Sequence, residues 1–299
     1  MALRPPRDDD FDAMLALIRA AEAASYGEAD LEEDDLRTWL SSPNVDPQRD
    51  VRLLERNGRL VGYADADVTR DEPKRWWSLV AVAPDADAAS AAAELLRWVG
   101  QRARGGVLRV WTSATDARML AVFRRHGFRE HRHSYRMTIE LTADLPAPRW
   151  PDGISVRTFE PADERTVYEA HVEVWRDMSD PLGDTFEEWQ HWMTKRESFD
   201  PTLWFLAVAG DELAGFSLCD AAKPEAGWVG NLGVRRPWRR RGLAEALLRH
   251  SFYAFADRGF SRVNLGVDAS SPTGATRLYE RAGMSVYRDT VFLEKPIGS

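Results

Sequence analysis

The sequence of 299 residues predicts an α/β protein of two domains with mixed sheets, and three observations carry that reading. Strand-like runs alternate with amphipathic helical stretches along the whole chain. The order of those runs in the first half returns in the second as a weak internal repeat. Between the halves lies "ADLPAPRWPDG" (143–153), whose prolines and glycine read as an interdomain linker. The expected division is a domain over 1–143, a linker over 144–153 and a domain over 154–299. Each domain is then long enough to bury its own core.

The elements follow in order. Helices are expected near 9–24 and 31–40. "VRLLERNGRLVGYADADV" (51–68) reads as a hairpin and "WWSLVAV" (76–82) as a strand. A helix over 87–102, the strand "VLRVWT" (107–112), a helix over 115–125 and the strand-like "SYRMTIEL" (134–141) complete the first half. The second half opens with "ISVRTFE" (154–160), which alternates as a strand does, and two amphipathic helical stretches near 163–178 and 184–196. "LWFLAVAGDELAGFSLCD" (203–220) is a hairpin turned through Gly210-Asp211. The strand "WVGNLGV" (228–234), a helix over 242–258, the strand "RVNLGV" (262–267), a helix over 273–282 and a final pair of strands in "MSVYRDTVFLEKP" (284–296) follow.

Composition narrows the function classes. A formal net charge of −8 excludes a general polyanion binder, so a basic cluster must act locally, on one bound anion or a few phosphates. The single cysteine, Cys219, excludes a disulfide framework and a cysteine metal cluster; inside "LAGFSLCD" it reads as a core thiol. No secretory h-region follows Met1 and no apolar run approaches the ~18 residues of a membrane span. The expectation is a soluble, cytoplasmic protein with no nucleic-acid or membrane partner.

"RRPWRRRGLAEALL" (235–248) breaks the acidic background with five arginines in seven residues, followed by a helix. Strand, turn, arginine-and-glycine loop, helix is an order that gathers backbone N–H groups and the positive end of a helix dipole around an anion. Gly242 permits close approach and Ala244 keeps the first helical turn uncrowded. Arg239, Arg240 and Arg241 add charge, and a diphosphate fits such a site, as would a sulfate. A nucleic-acid patch needs arginines spread over a face and interleaved with stacking aromatics; Trp238 is the loop's one aromatic.

"VRRPWRRRGLA" (234–244) resembles the acetyl-CoA loop of the GCN5-related N-acetyltransferase (GNAT) superfamily, whose core is Arg/Gln-x-x-Gly-x-Gly/Ala. Arg239, Gly242 and Ala244 stand at its defining positions. Downstream, "NLGVDASSPTGATRLYERAGM" (264–284) resembles the closing strand and helix of that family, with Leu278-Tyr279 followed by a glycine four residues later. The resemblance covers roughly 154–295 and, more faintly, the first half. It is that of a tandem-domain member, most similar to the actinobacterial mycothiol synthases and their relatives.

The resemblance implies, for each domain, a mostly antiparallel central sheet with helices on both faces, and acetyl-CoA as the cofactor. Its pyrophosphate would sit on Arg239, Arg240, Arg241, Gly242, Leu243 and Ala244. Its pantetheine arm would pair along Leu232, Gly233 and Val234 between splayed strands 228–234 and 262–267, where a backbone N–H would stabilise the oxyanion. Tyr279 matches the position that protonates the leaving sulfur, and Ser271 stands where many relatives hold the cofactor with asparagine. Mycothiol synthases carry a glutamate where this chain has Trp228, which cannot take a proton. Asp220 and Asp268, near the ends of neighbouring strands, are the candidate bases, each also readable as a strand-end cap or salt-bridge partner.

The implied activity is transfer of an acetyl group to a small-molecule primary amine. An acetyl-CoA-binding pseudoenzyme or sensor and a protein acetyltransferase are the alternatives. "VWRDMSDPLGDTFEEWQHWM" (174–193) lies where the family builds its acceptor pocket. There Asp177, Asp180 and Asp184 are placed to meet a cation or simply to solubilise, and Trp189 and Trp192 have the spacing of core. His126, His131 and His133 lack a partner ligand at metal-binding spacing, so no metal is expected. The first domain is expected to be degenerate and non-catalytic. Its loop "VAPDADAAS" (82–90) sets Asp85 and Asp87 where the other has arginines, with Ser90 opposite Gly242 and Phe123 opposite Tyr279.

Overall fold

The computed structural model describes residues 2–69, 74–178, 183–221, 223, 225–271 and 273–298. The chain divides into two units, Met1–Ser134 with Arg288–Ser299, and Tyr135–Tyr287. Residues 135–143, expected with the first domain, and the expected linker 144–153 thus belong to the second unit, while the last segment belongs to the first.

In chain order the first half forms β1 (Ala2–Arg4), α1 (Phe11–Tyr26), α2 (Glu33–Leu40), α3 (Pro47–Asp50), β2 (Val51–Arg56), β3 (Arg59–Asp65), β4 (Asp67–Val68), β5 (Arg75–Ser78), β6 (Val80–Val82), α4 (Ala88–Arg102), β7 (Val107–Ser113), α5 (Ala117–Arg125) and β8 (Arg129–Glu140). The hairpin β2–β3 turns through Asn57 and Gly58, both at positive φ (52° and 73°), as a tight right-twisted hairpin requires. The expected strand 76–82 is broken at Leu79. Before the break, β5 runs parallel to β7; after it, β6 pairs antiparallel with β3. Asp65 holds the break, accepting the Leu79 N–H at 2.8 Å. One core, built on Met14, Ile18, Leu53, Tyr63, Leu95 and Phe123, serves this unit.

The second half forms β9 (Ser155–Thr158), α6 (Glu164–Trp175), α7 (Phe186–Met193), β10 (Trp204–Ala209), β11 (Glu212–Asp220), β12 (Ala226–Val234), α8 (Leu243–Asp257), β13 (Arg262–Asp268), α9 (Ala275–Arg281) and β14 (Ser285–Pro296). The second unit's sheet runs β8-β13-β12-β11-β10-β9, with β12 and β13 parallel and β11 antiparallel to both of its neighbours. Two apolar layers cover its faces. Leu247, Phe252 and Phe255 of α8 pack on one, and Val167, Val174 and Trp189 of α6 and α7 on the other.

Two expectations need correction. The pair of strands expected over 284–296 is one strand, β14, of 12 residues. Its residues Thr290–Pro296 pair with Ser113–Val107 of β7 and so complete the first unit's sheet. The 135–140 part of β8 lies beside β13 in the second unit. Alternation announces a strand but not its partner, and these two segments pair outside their own sequence halves. The expected linker packs on the second unit instead of bridging freely. Tyr253 donates to the Leu145 carbonyl at 2.6 Å, and the Trp150 ring lies 5.6 Å from that of His250.

Candidate active site

A break in the second unit's sheet opens the site. Leu218 pairs with Asn231 but Cys219 with Val229, so Gly230 is an extra residue in β12, a β-bulge. Pairing of β12 with β13 covers Ala226–Val229 against Arg262–Leu265 and ends there. The Arg235 N–H donates to Ala214 O at 3.0 Å on the β11 side. Strand alternation therefore turns the N–H groups of Leu232 and Val234 to the other edge, into the gap. The expected splay of 228–234 from 262–267 is present.

The loop that follows is more self-contained than its charge suggests. Arg235 pairs with Glu173 at 2.7 Å, and Arg236 and Arg239 both pair with Asp177, at 2.5 and 2.6 Å. Arg239 also donates through Nε to the Val234 carbonyl at 2.9 Å. Hydrogen bonds from Arg236 and Arg239 hold the Asp177 carboxyl down at about 2. Asp177 therefore anchors the loop to the segment after α6, and the reading of it as a residue that meets a cationic substrate is corrected. Asp180 lies outside the described residues, and the Asp184 carbonyl accepts from Tyr168 at 3.0 Å. Arg240 has no ion pair among the described residues, and Arg241 makes a long 3.4 Å contact to the Asp152 carbonyl.

Arg240 (φ 60°) and Gly242 (φ 84°) reverse the backbone into α8. Gly242 is the N-cap and brings no capping side chain, and a Cβ there would meet nothing within 4 Å. The first-turn N–H groups, including those of Leu243 and Ala244, are thus without a capping side chain. Tyr279 on α9 is 8% exposed, and its hydroxyl has no protein partner among the described residues. Burial pushes that hydroxyl up to about 12. The hydroxyl oxygen is not among the sealed polar atoms of the fold, so water or a bound molecule can reach it. Ser271 instead shares a 2.9 Å hydrogen bond with Thr273.

The two candidate bases separate. Asp268 is folded into its own turn, accepting from the backbone N–H and hydroxyl of Ser270 at 2.8 and 2.7 Å. Asp220 stands opposite Trp228 in the register, accepts from the Ser198 hydroxyl at 3.1 Å and lies 3.9 Å from Arg196. Arg136 covers the Trp228 ring at 4.4 Å. Cys219 is buried core, as expected, its thiol pushed by burial to about 11. His126, His131 and His133 each bond elsewhere: to Val122 O, near Glu294 and to Asp289. Trp189 is core at 1% exposure.

Sequence reading missed His171. It sits on the buried stripe of α6 with Val167, Ala170 and Val174, bonded to Trp189 and to Asn231. Its place in "YEAHVEVW" marks it only as one polar residue on an apolar helical face.

The model of the acetyltransferase (GNAT) family matches residues 11–128 and 165–284, one region in each half of the chain. The chain belongs to that family. The mycothiol acetyltransferase of Thermobispora bispora is 32% identical over 194 residues, which are 60% of this chain and 63% of that relative's length. A GCN5-related N-acetyltransferase from Sphaerobacter thermophilus has a crystal structure matching 99% of this chain and 95% of its own, at 34% identity and a TM-score of 0.79. A tandem GNAT protein from the clavulanic acid biosynthesis pathway shares the fold over 100% of this chain and 99% of its own, at 16% identity and a TM-score of 0.78.

The two GNAT regions differ at the same loop. In the first, Asp87 caps α4 and accepts from the N–H groups of Ala89 and Ser90 at 3.1 and 3.2 Å. Asp85 pairs with Arg59 at 2.8 Å. Phe123 is fully buried against Phe128. A cavity of about 410 Å³ between Ser25, Pro84 and the start of α5 is lined by Asp116, whose carboxylate accepts from Ser25 at 2.6 Å.

Proposed function

We propose that the second unit transfers the acetyl group of acetyl-CoA to the primary amine of a small molecule, and that the first unit takes no part in the chemistry. The observation that carries this reading is the open edge of β12 leading into the uncapped start of α8. One supplies backbone N–H groups for an extended arm; the other supplies N–H groups and a dipole for a diphosphate. The donor set fits the cofactor: Leu232, Gly233 and Val234 for the arm, Arg240, Arg241, Gly242, Leu243 and Ala244 for the pyrophosphate. Arg239 serves by holding the loop. Bound there, acetyl-CoA supplies an activated thioester.

Leu232 or Val234 N–H then faces the thioester oxygen as charge grows on it. Tyr279 donates a hydrogen bond to the departing sulfur. At about 12 it is a far weaker acid than a thiol at about 8.5, so it holds the thiolate without surrendering its proton. Asp220, on the sheet face covered by α6 and α7, is the base for the incoming amine; Asp268 is occupied by its own turn.

The test is release of free coenzyme A thiol over a panel of primary amines, with mass analysis of the products. Release that depends on the amine and yields an N-acetyl product is expected. Tight acetyl-CoA binding with no release over any amine would make the chain a sensor, and acetylation confined to proteins would move the acceptor class.

A further inference from the structure

The Trp189–His171–Asn231 chain fixes which end of an amide faces the gap. Trp189 Nε1–H donates to His171 Nδ1 at 2.8 Å, and an indole can only donate. His171 Nδ1 is therefore the acceptor nitrogen, and the ring proton sits on Nε2. That nitrogen lies 3.1 Å from Asn231 Oδ1, so the amide must turn its oxygen to the histidine and its NH2 away from it. The ring is 2% exposed and packed among Trp175, Trp189 and Phe216. Burial lowers its pKa to about 4, so the ring stays neutral and the polarity does not reverse.

Asn231 is half-buried on β12, one residue past the bulge, where pairing with β13 has ended. The register sets Asn231 against Leu218 and Trp228 against Asp220, and Leu218 packs with α6 and α7. Asn231, Trp228 and Asp220 thus share the sheet face that carries those helices. Among the described residues, the one partner of the Asn231 NH2 group is the Met193 sulfur at 3.9 Å, a weak acceptor. A donor locked in place and left without a good acceptor, beside the thioester position, is a recognition element.

We propose that Asn231 binds an oxygen of the acceptor substrate, and that His171 and Trp189 are the positioning residues that aim it. The inference rests on the acetyltransferase reading above and deepens it by naming the acceptor class. Asn231 and Leu232 are adjacent on the strand, ~3.3 Å apart along its axis. An amine attacking beside Leu232 reaches Asn231 with an oxygen on the carbon next to the amine-bearing carbon. The acceptor class is a primary amine with a neighbouring hydroxyl or carbonyl, in preference to a plain alkylamine.

The probes are 2-aminocyclohexanol and cyclohexylamine, compared in the wild-type chain and in Asn231→Leu. The wild type is expected to favour the amino alcohol in kcat/KM by about threefold to tenfold, the range of one neutral hydrogen bond. Asn231→Leu should erase that preference through KM, leaving acetyl-CoA affinity unchanged. His171→Gln, which still offers N–H to Asn231, should keep most of it, and His171→Phe should lose it. A preference that survives in Asn231→Leu overturns the proposal. If neither amine is acetylated, the parent reading fails for them, and the Asn231 side-chain amide resonance still decides this one. With coenzyme A present it should shift on adding the amino alcohol and not on adding cyclohexylamine; no selective shift overturns the inference.

Discussion

Two helix starts, α4 in the first unit and α8 in the second, follow a strand and a turn in the same order and have opposite chemistry. At α8 the N-cap is Gly242, with no side chain to fill the N–H cradle. At α4 the cap is Asp87, whose carboxylate already bonds two of the N–H groups an anion would need. The sheet breaks differ in the same sense. The corresponding antiparallel pairings Gly62–Val82 and Gly215–Val234 set Asp65 and Leu79 of the first unit against Leu218 and Asn231 of the second. In the first, the polar group at the break is spent within the protein, Asp65 accepting from the Leu79 N–H and the Tyr63 hydroxyl. In the second, Asn231 turns its NH2 group away from His171, towards the Met193 sulfur at 3.9 Å. One fold caps the first helix start with a carboxylate and leaves the second without a capping side chain, and a few residues decide which.

The largest effect expected from breaking this contrast is at Tyr279. Tyr279→Phe should lower turnover by ~10² or more while acetyl-CoA affinity, measured by titration calorimetry, stays nearly intact. Turnover within a factor of three of wild type would remove Tyr279 from the leaving-group role. Gly242→Val should act on affinity instead. A β-branched residue at φ 84° is strained by ~1–3 kcal/mol and raises a methyl-bearing wall where the diphosphate must approach, so a loss of roughly 10²-fold is expected. Arg239→Ala should weaken binding less, about tenfold, because its guanidinium reaches Asp177 and Val234 and acts by holding the loop. Unchanged affinity in both variants would move the anion site elsewhere.

How much of this was legible in the sequence depends on the kind of information each feature needs. The element order came from periodicity, and the α8 loop from arginines and glycine at fixed spacing. Strand partners did not, because "SYRMTIEL" and "TVFLEKP" alternate alike whichever sheet they join. The partners of the arginines were also hidden. Asp177 looked like a surface acid because its two contacts, Arg236 and Arg239, lie about sixty residues away. His171 was invisible for a related reason: a polar residue on an apolar helical face gains meaning only when Asn231 and Trp189 are placed around it.

Asp65 offers a smaller test on the first unit. Burial raises its carboxyl to about 8, against an ordinary value near 4 in the unfolded chain. Between those values the folded state holds a proton that the unfolded state has lost. Stability contributed by this group is therefore complete below about pH 4 and is lost as pH rises towards about 8. Asp65→Asn keeps an acceptor for Leu79 and removes the titration. Denaturant melts at about pH 5 and about pH 8 should show a shallower decline in the variant than in the wild type. Equal declines would mean that Asp65 is ionised in the folded protein.

The smallest effect expected, and the sharpest for the comparison, is at Asp87. Asp87→Ala removes an N-cap, which costs about 0.5–2 kcal/mol and should appear as a modest drop in melting temperature. It also uncovers the N–H groups of Ala89 and Ser90. If that carboxylate were the single barrier, the variant would gain a second acetyl-CoA site. We expect no such gain. Asp85 remains nearby, its carboxylate paired with Arg59, and brings no positive charge to an incoming phosphate where the other loop brings arginines. Asp116 lines the neighbouring cavity, and Phe123 fills the Tyr279 position without a hydroxyl. Titration calorimetry should find one acetyl-CoA per chain in the wild type and in Asp87→Ala, and none once Gly242→Val is added at concentrations where the intact site saturates. A second equivalent in Asp87→Ala would show that one capping carboxylate had silenced an otherwise competent site.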